Sequence, residues 1–437
     1  MNRNPIDQYL EQYQVHPAVA GAAWLRQQQS DAIAHIRSNG FPTRRVEDWK
    51  YTDVQPILKH DFSFGVPVLT GPGSAPTAIE QLDCYRLVFV NGRLVQGDAI
   101  SGHGIMVKTL HQAIAAGDKQ LKDHLNRFTP PGNNTFFDLN TVFMQDGCLI
   151  TLADNAVLDK PLQLVYHSDQ QTGPFASSPR NLILLGKQAR ATVIESYTGT
   201  DRQEYFTNAI TEVNLDQGAE LIHYKLEQEG PQGFHIGNLQ VEQARDSRLV
   251  SHSIALGGRL VRNDIGIRLN GAGAETVLNG LYLATGNQHI DNHTRIDHLV
   301  PHTSSSQTYR GVLNGRARGV FNGKVIVHKD ARKTDAQQSN ANLLLSSDAE
   351  IDTKPELQIH NDDVKCSHST TVGQLDENML YYLRTRAIPE DLARSLLTFA
   401  FAGAVISRID LAPVRQWLQQ HVVGQLPDAE IIREFVR

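Results

Sequence analysis

The sequence has 437 residues, with 41 lysines and arginines against 47 aspartates and glutamates, so its formal net charge is −6. A content of 40% hydrophobic and 20% charged residues is typical of a globular protein and excludes collagen-like, coiled-coil and wholly disordered chains. The acidic balance argues against nucleic-acid binding. The three cysteines, Cys84, Cys148 and Cys366, are widely spaced, which favours a reducing, cytoplasmic location over a secreted disulfide framework.

Residues 1–140 are predicted to form a helical region with a linker and a short hairpin. Ala22–Asn39 carries apolar residues at helical intervals, and the glycine after it is a common helix terminator. Three prolines and two glycines in Val66–Ile79 predict the linker. Cys84–Leu94 has the character of a strand, and its Asn91-Gly92 dipeptide favours a hairpin turn.

Between residues 141 and 373, short β-rich runs alternate with polar corners. Each corner holds one small residue in a polar frame, and five successive corners lie 27 to 33 residues apart. They are centred on Ala156, Ala189, Ala219, Ser247 and Ala274. This repeat predicts a parallel β-helix, or β-solenoid, whose stacked aliphatic rungs build a core with few aromatics. A sandwich or stacked antiparallel domain is the alternative.

Residues 374–437 return to a helical pattern. The predicted helix after Pro389 is more apolar than a surface helix requires, so it must be buried in a bundle or against a partner. Its large apolar residues include Leu392, Leu396, Phe399 and Phe401. The uncharged stretch within it spans residues 395–407, whereas a membrane span needs about 20 residues. We therefore expect no membrane insertion.

Two other patterns are weak. Gly319–Lys324 (GVFNGK) is one residue short of a phosphate loop, and we interpret it as a tight turn leading into a strand. Histidines stand at 289, 293, 298 and 302 in a segment without helical periodicity. On a strand, His289 and His293 would lie about 13 Å apart, too far for one metal ion, so we expect surface histidines.

The most informative segment is NDDVKCSHSTTVG, residues 361–373, in which one residue separates Cys366 from His368. On a strand these side chains share a face, and both are ligands for iron. Lys365 could lower the pKa of the thiol, and Asp362-Asp363 could orient the imidazole or bind a cation. The alternative is a buried cysteine beside a surface histidine. Because a stable metal site usually needs about four ligands, the pair predicts an interface site that a partner, substrate or water completes.

Five segments carry a more specific pattern. They are Phe41–Val54 (FPTRRVEDWKYTDV), Tyr309–Lys324 (YRGVLNGRARGVFNGK), Ala336–Leu345 (AQQSNANLLL), Thr353–Gly373 (TKPELQIHNDDVKCSHSTTVG) and Leu380–Ile388 (LYYLRTRAI). Together they resemble the SufB/SufD family of the SUF iron–sulfur cluster assembly system over most of the chain. The length and the compact C-S-H run favour the SufD type, although the family usually has Gly where this chain has Ser369.

The resemblance implies a right-handed parallel β-helix between helical N-terminal and C-terminal parts. It also implies a non-enzymatic scaffold that pairs with SufB and whose C-terminal helices dock the ABC-type ATPase SufC. A transient iron–sulfur cluster would form at the SufB interface, with a SufB cysteine opposite His368 and with Cys366 beside it. We expect no cofactor resident in the isolated chain, for which a homodimer is an open possibility. For ATPase docking we expect Leu392, Leu396, Phe399 and Phe401.

Two alternatives to a scaffold remain at this stage. A β-helix enzyme that acts on polysaccharide would expose a carboxylate cluster along a groove, and the Asp362-Asp363 pair is the one such feature in the β-rich region. A purely structural solenoid would have no site.

Overall fold

The computed structural model describes residues 5–15, 22–64, 79–98, 100–128, 134–144, 146–169, 171, 173–426 and 430–432. The helices are α1 (Pro5–Val15), α2 (Ala23–Asn39), α3 (Gln55–Leu58), α4 (Leu110–Ala115), α5 (Lys119–His124), α6 (Thr135–Phe143), α7 (Glu377–Thr385), α8 (Glu390–Ile406) and α9 (Ala412–Gly424), with a 3-10 turn at Glu47–Trp49. The predicted linker falls almost entirely outside the described residues.

The strands follow one another closely through the middle of the chain. They are β1 (Tyr85–Val90), β2 (Arg93–Gly97), β3 (Ser101–Gly102), β4 (Ile105–Thr109), β5 (Cys148–Leu152), β6 (Leu162–Ser168), β7 (Phe175–Ser177), β8 (Arg180–Leu185), β9 (Arg190–Gly199), β10 (Tyr205–Leu215), β11 (Glu220–Gln228), β12 (Gly233–Gln243), β13 (Arg248–Ala255), β14 (Leu260–Leu269), β15 (Glu275–Ala284), β16 (His289–His298), β17 (Ser304–Leu313), β18 (Arg318–Val327), β19 (Asp335–Leu344), β20 (Glu350–Ile359) and β21 (Lys365–Gly373).

These strands form two sheets that share one core. Sheet A has the order β20-β18-β16-β14-β12-β10-β8-β5-β4-β3, and sheet B has the order β2-β1-β6-β9-β11-β13-β15-β17-β19-β21. From β8 onward, successive strands alternate between the sheets and pair in parallel with the strand two positions away. In β15 and β17, for example, Glu275 pairs with Ser304 and Ala284 with Leu313. The β-solenoid is confirmed, with two strands per rung, and the sandwich alternative is wrong.

The repeated corners have a common backbone cause. At each of the five predicted corners, the residue before the small side chain has a positive φ, between 56° and 78°. Asn155, Gln188, Gly218, Asp246 and Gly273 hold these positions. The small residue that follows turns into the core, where Ala189, Ala219, Ser247 and Ala274 are fully buried. A left-handed residue reverses the chain, and only a small side chain fits behind it.

The glycines of GVFNGK have a different role from the one predicted. Arg318–Val327 is one continuous strand, β18, so the interpretation of this segment as a tight turn is wrong. A Cβ at Gly323 would collide with the side chain of Gln338, and one at Gly319 would lie 2.8 Å from Ile351. These glycines therefore make room for side chains that cross the interior.

The interior is more polar than stacked aliphatic rungs would be. Glu195 and Glu227 are buried in sheet B, and their partners are buried too. Glu195 accepts from His223 at 3.3 Å, whereas Glu227 lies 2.8 Å from Lys225 and 3.0 Å from His235. Burial alone would raise the pKa of Glu195, but the hydrogen bond and charge of His223 outweigh it and lower the pKa to about 2.

The N-terminal helices pack along the outer face of sheet A and are continuous with the solenoid. Helix α6 is buried along its whole length and packs against α2 and β10. The Asn91-Gly92 turn joins β1 to β2 as predicted, and β1 then pairs in parallel with β6. The hairpin is therefore the first layer of sheet B. The boundary predicted between residues 140 and 141 falls within α6.

The C-terminal helices lie against sheet B. Helix α8 contacts β15 and β17, and α9 packs on α8. Val405, Ile406, Val414, Leu418 and Val422 share a buried cluster with Leu281 and Leu283 of β15. The apolar character of α8 is thus explained within the chain, by packing against the solenoid.

Candidate functional site

The solenoid stops abruptly at its C-terminal end. Strand β20 is the last strand of sheet A and β21 is the last strand of sheet B, and in the described part of the chain neither has a strand on its outer side. We call these two strands the open end. Ile359 on β20 and Val372 on β21 leave 45% and 47% of their surface exposed. Unpaired edge strands of this kind are templates for pairing with another chain.

The two edges differ in their ability to pair. Glu350 N–H donates to Ala317 and Lys365 N–H to Thr334, so alternate residues of each edge direct their backbone groups outward. On β20 the outward set includes Pro355, which has no N–H to offer. On β21 the outward set is Cys366, His368, Thr370 and Val372, and each has an N–H. Strand β21 is therefore the edge better suited to a partner strand.

Cys366 and His368 lie on β21, with their side chains on the same face, as predicted. Cys366 is half-buried and packs against a cluster that includes Val325, Val327 and Ala336. This contact shows that residues of its parity face the solenoid interior. His368 shares that parity but is exposed, because no further rung covers it in the described chain.

The thiol of Cys366 is not activated by its neighbours. Burial raises its pKa, and the charge of Asp335 adds to that rise. Lys365 belongs to the opposite face of the strand, so the expectation that it lowers the pKa is wrong. A raised thiol pKa suits a ligand that loses its proton only when a metal ion arrives.

The acidic residues before β21 form the corner and do not reach the imidazole. Asp363 Oδ1 accepts from Lys333 Nζ at 2.7 Å, and its carbonyl accepts from Lys333 N–H. Within the described residues, no group of three or more His, Cys, Asp or Glu side chains is placed to hold a metal ion. Cys366 and His368 thus share one face of β21 without a third side chain of these types beside them in the described residues, and their role as ligands remains a prediction.

Ser369 does not disturb this arrangement. It lies within regular β21, opposite Ser339 in the register, and has the outward parity. An extended strand position accepts any residue, so the change from the family's usual glycine leaves the face of Cys366 and His368 unaltered.

The histidines of residues 289–302 do not form a site. His289 and His293 both lie on β16 and share the face of Asp291, as the strand interpretation predicts. Asp291 separates them: it lies 3.0 Å from His293 Nε2, and its other oxygen accepts from Thr52. His298 faces inward and bonds Thr303 and Ser305. His298 is buried and His289 is half-buried, contrary to the expectation of surface histidines.

The residues predicted for partner docking take part in packing within the chain. Leu392 is buried against Val423 and Ile432, and Leu396 and Phe399 are half-buried around it. Phe401 is half-buried, and the Arg310 guanidinium lies 4.7 Å from its ring centre. Docking by these four side chains remains a prediction.

The sequence analysis missed a more exposed surface on the preceding helix. Met379, Tyr381 and Tyr382 of α7 are 55%, 70% and 58% exposed. We call these three residues the α7 patch. The adjacent tyrosines of the LYYL run were the signal that could have identified it, because large side chains in succession cannot all face one core.

A cleft of about 490 Å³ lies on the outer face of sheet A, beneath the turn at Glu47–Trp49. Three of its four carboxylates are held in ion pairs: Glu47 with Lys354 at 2.7 Å, Asp264 with Arg262 at 2.8 Å and Glu356 with Lys324 at 3.0 Å. The hydrogen bond from Lys324 lowers the pKa of Glu356. A glycosidase acid needs the opposite, a raised pKa, so the cleft gives no support to a carbohydrate-active enzyme.

Two known family models match this chain. Residues 166–401 match the model described as SUF system FeS cluster assembly, SufBD core domain, and residues 3–164 match the SufBD protein N-terminal region. The chain belongs to the SufB/SufD family. The core match covers more than half of the sequence and includes β21 and most of α8.

Individual relatives agree with the family models. The chain is 31% identical to iron–sulfur cluster assembly protein SufD of Escherichia coli, over 92% of this chain and 93% of that protein. It is 32% identical to a SufBD family protein of Synechocystis, over 91% and 89%. Similarity to SufB of Bacillus subtilis is lower, 24% over 69% of this chain and 65% of that protein. The chain thus resembles the SufD type more than that SufB.

Among the described helices, none combines the length and apolar character that crossing a membrane requires.

Proposed function

We propose that this chain is a non-catalytic scaffold subunit for iron–sulfur cluster assembly in the cytoplasm. Its β21 edge pairs with a SufB-type chain, and His368, with Cys366 beside it, supplies ligands to a nascent cluster at that interface. The observation that carries the proposal is the incomplete ligand pair on the inward face of the unpaired edge strand β21. A site that lacks ligands and an edge that lacks a strand require the same thing, a second chain.

The type of partner follows from the shape of the open end. The last layer exposes the backbone N–H and C=O groups of its edge strand and leaves its inward side chains partly uncovered. The edge of another β-solenoid could pair with those backbone groups and cover those side chains. A homologous solenoid has such an edge. In the isolated chain a second copy could take this place, so the oligomeric state without the partner is part of the test.

The test is the double variant Cys366→Ala with His368→Ala, co-expressed with a SufB-type chain and a SufC-type ATPase. The complex should still assemble, because both side chains lie at the surface of the last layer, while its iron and sulfide content falls at least tenfold. His111→Ala, which removes an exposed histidine on α4, is the matched control and should leave the content unchanged. Unchanged iron and sulfide in the double variant would rule out this site.

We further propose that the C-terminal helices dock the ATPase through the α7 patch. The patch is apolar, exposed and adjacent in sequence to β21, whereas α8 packs against the solenoid. Charged substitutions should therefore act differently on the two helices. Tyr381→Glu should weaken ATPase co-purification at least tenfold without changing the melting temperature.

Phe401→Glu tests the alternative surface on α8. It removes the ring on which Arg310 packs and places a charge on the half-buried face of α8, so it should lower the melting temperature. Val157→Glu, at an exposed position far along the solenoid, is the control for charge alone. ATPase binding that survives Tyr381→Glu but is lost in Phe401→Glu at unchanged melting temperature would favour α8 as the docking surface.

A further inference from the structure

Gln338 is a buried side chain without a visible role in the fold. It lies on the inward face of β19 with 3% of its surface exposed. Neither its amide oxygen nor its amide nitrogen has a hydrogen-bond partner in the described structure. A buried amide left unpaired destabilises the folded chain, so a leucine or methionine would be expected there if packing were the sole requirement.

The space around Gln338 is kept open for it. A Cβ at Gly323 of β18 would collide with the Gln338 amide, so glycine at that position lets the side chain cross toward sheet A. One rung deeper, Gln307 accepts a hydrogen bond from Thr294 at 2.7 Å but leaves its own Nε2 unpaired. Thr370 Oγ1, in the last layer, is also buried without a partner. Each of the last three strands of sheet B, β17, β19 and β21, therefore holds an unpaired polar group on its inward face.

The register places Gln338 next to the proposed ligand. Gln338 pairs with His368 in the β19–β21 ladder, and both have inward parity. Side chains at such positions on neighbouring strands start about 4.8 Å apart, within hydrogen-bond reach of a long amide. An imidazole that binds a metal through one nitrogen normally donates its other N–H to an oxygen, which fixes the ring and its tautomer.

We propose that Gln338 is a positioning residue for His368. Its amide oxygen accepts the N–H of the imidazole nitrogen that faces the interior, while the other ring nitrogen is directed to the metal at the interface. The inference rests on the proposed function, because it gives Gln338 its role through the ligand His368. It explains both the unpaired amide of Gln338 and the glycine opposite it: the missing partner is the oriented imidazole.

The experiment measures Fe²⁺ affinity by chelator competition in the complex with the SufB-type chain, and the optical and electron paramagnetic resonance spectra of the assembled cluster. Gln338→Met keeps the volume but removes the acceptor, and Fe²⁺ affinity should fall about 10–100-fold. Gln338→Glu restores an acceptor oxygen and should recover the affinity to within about tenfold of the parent, with a parent-like spectrum. Gln307→Met, one rung away from His368, should leave the affinity unchanged.

The melting temperature shows whether Gln338 acts by positioning His368 or by packing in the core. Gln338→Met should keep or raise the melting temperature, because it removes an unpaired buried amide. Parent-like affinity in Gln338→Met, while His368→Ala loses it, would overturn the positioning role and leave the proposed function standing. Parent-like affinity in both variants would remove the proposed site itself. Failure of Gln338→Glu to recover what Gln338→Met loses would also overturn the acceptor role.

Discussion

The two ends of the solenoid differ in how the last strands of each sheet are protected. At the N-terminal end, which we call the closed end, sheet B finishes in the antiparallel β1–β2 hairpin and sheet A in the antiparallel β3–β4 pair. Helices α2, α4 and α6 cover the adjoining layers. At the open end, β20 and β21 finish the sheets without any strand beside them in the described chain.

The difference shows that the uncovered edge is not a general property of the fold. A chain able to end two sheets with antiparallel pairs can protect its edges. The interiors differ as well: toward the closed end the buried polar groups include the charged pair of Glu195 with His223, whereas near the open end they include the amides of Gln307 and Gln338. The contrast between a protected closed end and an uncovered open end supports the proposal that the open end pairs with a partner chain.

The largest expected effect is on stability at the closed end. Phe89 is fully buried on β1 and stacks on Tyr166 with ring centres 4.9 Å apart. Phe89→Ala should lower the free energy of unfolding by about 3–5 kcal/mol, because it leaves a cavity and removes the stacking. Val372→Ala, at the open end, should change it by less than about 0.5 kcal/mol. Equal effects in thermal or urea unfolding would contradict the division between the ends.

The charged interior should make the closed half sensitive to acid. The pKa of Glu195 is about 2 in the folded chain against an ordinary value of 4.5, so its stabilisation is present above pH 4.5 and is lost as the pH falls toward 2. Burial lowers the pKa of His252 on β13 and of His298 on β16 to about 4, so both halves lose stability between pH 6.5 and 4. Below about pH 4, where Glu195 is protonated, hydrogen exchange in β9 and β11 should therefore rise more than that in β17 and β19. Glu195→Gln should flatten the lower window, and identical profiles would contradict the assignment.

The open end can be altered without damage to the fold. Thr370 directs its backbone N–H outward, so Thr370→Pro should block strand addition and weaken SufB-type binding at least tenfold while the melting temperature stays nearly constant. Thr371→Pro is the matched control, since its N–H belongs to the ladder with β19 and its loss should lower the melting temperature. Intact partner binding in folded Thr370→Pro would show that β21 is not the pairing edge.

The smallest expected effect concerns the turn that caps sheet B. Gly92 has a φ of 77°, and Asn91 before it also has a positive φ. Gly92→Ala should cost about 1 kcal/mol, because a Cβ is disfavoured in the left-handed region. Gly373→Ala, in β21, should cost less, since that glycine has no positive φ and a Cβ there would meet no other atom within 4 Å. A thermal unfolding series comparing the two variants measures the difference.

The repeat and the ligand pair were predictable because their causes are local. A left-handed residue followed by a small one reverses the chain at each corner, and the C-S-H spacing puts two ligands on one face of any strand. The course of GVFNGK, the pKa of Cys366 and the packing of Phe401 were not predictable in this way. Each depends on contacts far away in sequence: Gln338 for the glycine, burial against the neighbouring strands for the thiol, and Arg310 for the phenylalanine.

The sequence by itself determined the family, the solenoid and the identity of the two candidate ligands, since these follow from period, spacing and segment patterns. The tertiary structure alone decided which strand is left unpaired and which helix face stays exposed. Whether β21 has a neighbour, whether α8 is covered and whether Gln338 lies beneath His368 are properties of stacking between rungs about 30 residues apart. Local patterns carry no information about such contacts, because the same strand pattern fits an inner rung and an edge equally well.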